Sequence, residues 1–156
     1  MKKFYSLLVV VFFISTGFVD MMSDCLSDGM TYYSLSDALK EPLKVKKLDI
    51  SMQKLTSISA DIAKLENLEC LDLSFNKMGT LPLEIGTLKH LKYLNLAGTR
   101  YMANLPDVVF KLDSLQILDI QDHPEWKAEK FNEVKSKLPN VRVIVSDESS
   151  GPIELK

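Results

Sequence analysis

Leucine-type residues recur along the chain in a pattern whose period changes inside each copy. Between Leu68 and Leu91 they fall at Leu68, Leu71, Leu73, Met78, Leu81, Ile85 and Leu88, and the pattern restarts at Leu91, Leu94 and Leu96. Leu71 and Leu73 are two apart, the spacing of one face of a strand and not of a long helix. Asn76 follows as a turn residue, and a looser apolar run returns the chain. A first copy runs from Val45 through Leu48, Ile50, Leu55, Ile58, Ile62 and Leu65. A third runs from Leu91 through Leu94, Leu96, Tyr101, Leu105, Val109 and Leu112. The fourth opens with Leu115, Leu118 and Ile120 and then drifts, and Val141 to Val145 reads as a fifth strand. The starts Val45, Leu68, Leu91, Leu115 and Val141 are 23, 23, 24 and 26 residues apart. Self-similarity at such a period is the mark of a stacked repeat.

The two ends differ from the copies. Ser34 to Lys40 predicts a short helix, with Ser34 as N-cap, Asp37 in the first turn, and Leu35, Ala38 and Leu39 as its apolar side. Pro42 stops it. Such a helix covers the open first edge of a solenoid. At the other end, His123-Pro124-Glu125-Trp126 is a turn. Lys127 to Lys137 predicts a helix with Phe131, Val134 and Leu138 on one side, ended by Pro139-Asn140. This helix and the fifth strand form a lid. The boundaries that follow are a basic and apolar leader over 1–17, a lead-in over 18–33, the repeat domain with its caps over 34–145, and a polar, flexible tail over 146–156.

With its copies in register, the stretch from about 34 to 145 resembles a leucine-rich repeat protein. The second unit, with LDLSFN and LPLEIGTL, is similar to the 23-residue class typified by Ras-pathway scaffold repeats and many bacterial secreted repeat proteins. The resemblance implies an α/β solenoid: a short right-handed horseshoe with a parallel sheet of about five strands, an N-terminal capping helix and a C-terminal helix-strand cap. In that family the asparagine of each turn hydrogen-bonds neighbouring backbone. Here only Asn76 fills the position; Gln53, Thr99 and His123 are its counterparts, so a patchy ladder is expected.

Composition adds little to the fold but narrows the function. With 46% apolar and 26% charged residues over 156 residues, the chain is an ordinary globular one that needs no metal or disulfide to hold its core. A net charge of −2 gives no pull on nucleic acid. Lys2-Lys3 followed by the apolar run Phe4 to Val19 matches a secretory signal, with cleavage after Gly17 or Ser23. The run is too short for a comfortable membrane span, so no stable span is expected after its removal. Loss of residues 1–17 removes two lysines and no acid, which takes the net charge from −2 to −4. A lipid anchor at Cys25 is disfavoured by Asp24 and by the polar Met22-Ser23-Asp24 before it. Cys25 and Cys70 are the only cysteines, so no disulfide framework exists, although an exporting compartment permits one Cys25–Cys70 bridge.

Candidate binding residues come from the strand register. One outward column reads Lys47, Cys70, Tyr93, Ile117 and Val143; the next reads Asp49, Asp72, Asn95 and Asp119; a third reads Ser51, Ser74, Ala97 and Gln121. The second is an acidic strip suited to a basic or hydroxyl-rich partner, or else a residue preference of the repeat itself. Tyr93 and Ile117 read as an exposed interface anchor or as a cross-strand packing pair. Phe75 reads as turn packing and Trp126 as cover for the C-terminal core. Catalysis has little support. His90 and His123 lie far apart in the pattern, and Cys70 has no histidine beside it to activate a thiol. Asp119, Asp122, His123 and Glu125 cluster locally but fit no strong metal motif. The expectation is a non-catalytic, secreted, periplasmic or cell-surface binding module without cofactor. Its partner, a protein or peptide, sits on Asp49, Asp72, Tyr93, Asn95, Ile117 and Asp119. A glycan partner, or an intracellular scaffold role if the leader is no signal, are the alternatives.

Overall fold

Each repeat forms a strand of three residues centred on the first aliphatic of its Leu-x-Leu pattern, and a side-chain hydrogen bond ends it before the second. The computed structural model describes Cys25 and residues 29–146. The chain divides into two units, Met1–Met30 and Thr31–Lys156, and the second carries the repeats. The leader over 1–17 and the tail from 147 onward lie outside the described residues.

Six strands form one parallel sheet in sequence order. They are β1 (Thr31–Tyr32), β2 (Lys47–Asp49), β3 (Cys70–Asp72), β4 (Tyr93–Asn95), β5 (Ile117–Asp119) and β6 (Arg142–Ile144). The predicted parallel solenoid is therefore present, with one strand more than expected. The extra strand is β1, in the segment read as lead-in, where Thr31 aligns with Lys47 and Tyr32 with Leu48. Two residues are too few for their alternation to stand out from a turn-rich stretch.

Termination of the strands follows a rule that repeats. Asp49 Oδ1 accepts from the Ser51 N–H at 3.0 Å, Asp72 Oδ1 from Ser74 at 2.8 Å, Asn95 Oδ1 from Ala97 at 3.0 Å and Asp119 Oδ1 from Gln121 at 3.0 Å. A carboxylate or amide oxygen two residues before an N–H mimics a backbone turn and competes with the ladder. The next residue but two after each of these turn-makers adopts the left-handed region: Met52 at φ 56°, Phe75 at 54°, Gly98 at 65° and Asp122 at 56°. Glycine alone holds that conformation without steric cost.

The core is a stack of rungs. Leu48, Leu71, Leu94 and Leu118 are in register across the sheet and all are buried. Ile50, Leu73, Leu96 and Ile120 form the next rung and are equally buried. The return runs are 3-10 helices, Ala60–Lys64, Leu83–Thr87 and Asp107–Lys111, which place Ile62, Ile85 and Val109 at zero exposure. Ser59 caps the first by accepting from the Asp61 N–H, and Pro82 and Pro106 stand at the start of the others.

Both caps form. Helix α1 (Leu35–Ala38) is one turn, shorter than Ser34–Lys40, with Ser34 Oγ accepting from the Asp37 N–H at 3.3 Å. Ala38 is buried, and Leu35 and Leu39 pack on the core. Pro42 opens a 3-10 turn over Pro42–Lys44 as well as ending the helix. Helix α2 (Ala128–Lys137) buries Val134, with Leu138 just beyond it buried and Phe131 partly so.

The last strand departs from expectation. Arg142 aligns with Ile117 and Val143 with Leu118, so Val143 belongs to the core rung and not to the outward column. The expected register took Val141 as equivalent to Leu115. At the turn that equivalence holds, for the Val141 N–H bonds to the Leu138 carbonyl as that of Leu115 does to Leu112. But Arg142 follows Val141 directly, where Ile117 stands two positions after Leu115, so the strand begins one residue early. A one-residue slip exchanges the two faces of a strand.

Candidate interaction surfaces

The sheet face carries the residues expected to bind, but it is more closed than its sequence suggested. Tyr93 and Ile117 are paired in register, yet Tyr93 is 8% exposed and Ile117 is fully buried. The exposed anchor pair is thus corrected to a packing pair. In a parallel ladder with strands about 4.8 Å apart, Ile117 stands between the longer side chains of Tyr93 and Arg142. Cys70, Ser74 and Ala97 are buried as well. Neither cysteine is a free thiol: Cys25 and Cys70 are both disulfide-bonded.

What stays half-open is the acidic strip. Asp49, Asp72, Asn95 and Asp119 are successive partners in the ladder and all are half-buried. One oxygen of each is committed to its turn. Asn95 Nδ2 also donates to Asp72 Oδ2 at 2.9 Å, which occupies the second oxygen of Asp72 and separates two like charges with a dipole. Burial pushes the Asp119 carboxyl above its ordinary range, against the Gln121 N–H bond, and the charges of Asp72 and Asp122 push the same way. Tyr93 is pushed up to about 12, by burial first and then by Asp72 and Asp119, so its hydroxyl remains a neutral donor. Beside this strip runs a charge ladder that sequence reading missed. Glu69 pairs with Lys46 at 3.0 Å and with Lys92, each in an adjacent unit. Those hydrogen bonds, Lys92 first, hold the Glu69 carboxyl below its usual range against the cost of burial. The signal was there in the residue preceding each strand, whose sign alternates Lys46, Glu69, Lys92.

The turn edge holds a second surface. Asn76 is buried and engages five backbone groups: Oδ1 accepts from Gln53 and Leu55, and Nδ2 donates to Ile50, Leu73 and Ser74. Its counterparts each find other partners. Gln53 Nε2 donates to the Tyr33 carbonyl at 2.8 Å, Thr99 Oγ donates to Leu96 at 2.7 Å, and His123 Nε2 donates to Leu96 at 3.0 Å. The ladder is patchy, as expected: Asn76 holds five backbone groups, while each counterpart holds one carbonyl and that of Thr99 lies in its own unit.

His123 also lies 3.3 Å from Glu125 through Nδ1 and stacks on Trp126 with ring centroids 4.5 Å apart. Trp126 is buried, donates from Nε1 to the Met102 carbonyl at 2.8 Å, and meets Phe131, which matches a role covering the C-terminal core. Around these rings opens a cleft of about 570 Å³ lined by Phe75, Arg100, Asp122, His123, Pro124, Trp126, Phe131 and Ser146. Phe75 is packed as expected, for a Cβ on Gly98 would lie 2.6 Å from its ring, yet it keeps 50% of its surface exposed. Arg100 was not singled out by sequence. It is one of two arginines in a chain that otherwise uses lysine, which was the available signal.

Among the described residues no group of three acidic, histidine or cysteine side chains is placed to hold a metal ion, and no helix is long and apolar enough to cross a membrane.

Comparison with known proteins bears on this geometry. A family model described as a leucine-rich repeat region matches residues 21–148. No curated protein matches the chain. Among solved structures it is similar to a leucine-rich repeat protein of Leptospira interrogans, with 28% identity and a TM-score of 0.48, over 74% of this chain and 34% of that one. The chain thus spans about a third of that protein's length.

Proposed function

The chain belongs to the leucine-rich repeat family, a family of repeat modules for protein interaction, and from that premise we propose a non-catalytic role outside the cytoplasm, holding a basic segment of a partner protein against the acidic strip of the sheet. The observation that carries this reading is the ladder placement of Asp49, Asp72, Asn95 and Asp119, half-open on the strand face. The turns use one oxygen of each aspartate, and the second oxygens of Asp49 and Asp119 are the atoms a lysine or arginine can reach. Tyr93, protonated at all ordinary pH, adds a neutral hydroxyl between Asp72 and Asp119. Tyr93 and Ile117 serve this surface as its packed floor and not as protruding anchors. The oxidised state of Cys25 and Cys70 supports an exporting compartment, as does the basic and apolar leader, and both speak against an intracellular scaffold.

The test uses a substitution the protein already tolerates. Asn95 makes the same turn that the aspartates make, so Asp49→Asn with Asp119→Asn removes two charges and keeps both turns. Capture of a protein partner by the immobilised chain should fall at least tenfold in this variant and should weaken with added salt, with circular dichroism unchanged. It should also weaken on acidification from a higher pH than an ordinary carboxylate would give, because Asp119 protonates early and only its charged form attracts a cation. Capture that is indifferent to the double change would move the site off the strip. Reduced cysteines in protein taken from its natural source would overturn the compartment.

A further inference from the structure

The cleft at the turn edge is built unlike the rest of the surface. Its floor is the half-exposed ring of Phe75, seated flat against Gly98, and its back wall is the fixed stack of His123, Trp126 and Phe131. Trp126 has its N–H satisfied by Met102, so the stack offers apolar faces and no unpaired donor. On the rim stand Arg100 and Asp122, both exposed. Among the described residues Arg100 forms no ion pair, and Asp122 does not neutralise it. Lysines such as Lys40, Lys64 and Lys89, by contrast, are each paired with an aspartate. An arginine and an aspartate that line one cleft without meeting leave two complementary positions for a dipolar guest.

We propose that this cleft is a second binding site, separate from the strand face, for a peptide segment of a partner protein in which a ring side chain lies between an acidic and a basic residue. The ring packs between Phe75 and the Trp126 stack, at offset or edge-on geometry. The acidic neighbour meets the Arg100 guanidinium, and the basic neighbour meets Asp122. The occupant is set by charge complementarity: a purely apolar guest would leave both rim charges without partners as they lose water. The proposal does not depend on the acidic strip, and Asp49 and Asp119 take no part in it.

The full chain labelled with nitrogen-15 is titrated with acetyl-Glu-Trp-Lys-amide, acetyl-Gln-Trp-Gln-amide, acetyl-Glu-Ala-Lys-amide and the neutral sugar maltotriose. The first peptide should shift the amides of Phe75, Gly98, Arg100 and Asp122 and bind at least about fivefold more tightly than the other probes, a difference of about 1 kcal/mol. Arg100→Gln, an exposed change outside the core, should remove that preference and leave the remaining spectrum intact. Asp49→Asn with Asp119→Asn should leave it unaltered, so failure of the strip and failure of the cleft are told apart. Equal response to all three peptides, a stronger response to the sugar, or concentration-dependent broadening of these amides without peptide, which would mean a second copy fills the cleft, would each overturn the proposal.

Discussion

The left-handed turn position shows how much a single residue decides. Met52, Phe75, Gly98 and Asp122 share one backbone conformation, but only Gly98 holds it freely, and Gly98 lies beneath the Phe75 ring. A methyl group there meets Phe75 Cδ1 at 2.6 Å, a separation Cβ atoms do not show, and adds the left-handed strain. Gly98→Ala should therefore cost about 2–3 kcal/mol in denaturant unfolding. Part of this is steric, so in a Phe75→Ala background the same change should cost clearly less, about 1 kcal/mol. Equal costs in both backgrounds would show that the ring and the glycine are not coupled. This relation was hidden from the sequence. LSFN and LAGT can be aligned, but alignment does not say that the Phe of one unit lies over the Gly of the next. The turn role of Asn76 was legible from its type, and so was the thinner ladder at Gln53, Thr99 and His123, but not which carbonyl each would reach. Each is a different donor reaching a backbone carbonyl by its own geometry.

At the scale of the element, the strands and return runs were legible because aliphatic spacing switches between strand and loose helical periods. The acidic column was legible too, but its meaning needed coordinates. Each of its members ends a strand with a side-chain turn, a structural duty that coexists with any binding role. The openness of the face was not legible, since burial of Ile117 and Tyr93 depends on the length of their ladder neighbours and not on their own alternation. The Lys46–Glu69–Lys92 ladder ties three consecutive units and predicts a pH signature. Glu69 has a folded pKa below its unfolded one, so the unfolded chain takes up the proton first as acid is added. Its stabilising contribution is complete above the unfolded value, near the ordinary carboxylate range of about 4.3, and is lost as pH falls through the lowered one. Wild type should melt above Glu69→Gln at neutral pH, and the gap should close progressively below about pH 4.5. A gap that widens in acid would contradict the pairing.

For the whole molecule, the parallel register gives each unit the same backbone pairing with its neighbours. Cys70 stands to Lys47 as Tyr93 stands to Cys70, and each step is one period of 23 residues. The side chains at the seams differ, since the Phe75 ring needs Gly98 and Glu69 needs a lysine in the next unit. The block to copy is therefore residues 68–114: its tandem duplication keeps Phe75 over Gly98 in each copy and sets Lys92 of the first beside Glu69 of the second. In a quasi-one-dimensional stack, stability is the sum of unit and seam contributions. The lengthened chain should fold, and its unfolding should show a larger denaturant slope in proportion to the added surface. One reservation is chemical: the copied block brings a third cysteine, so the duplicate is made with Ser at that position. Growth by whole periods, without redesign of either cap, is the freedom this architecture confers on its lineage.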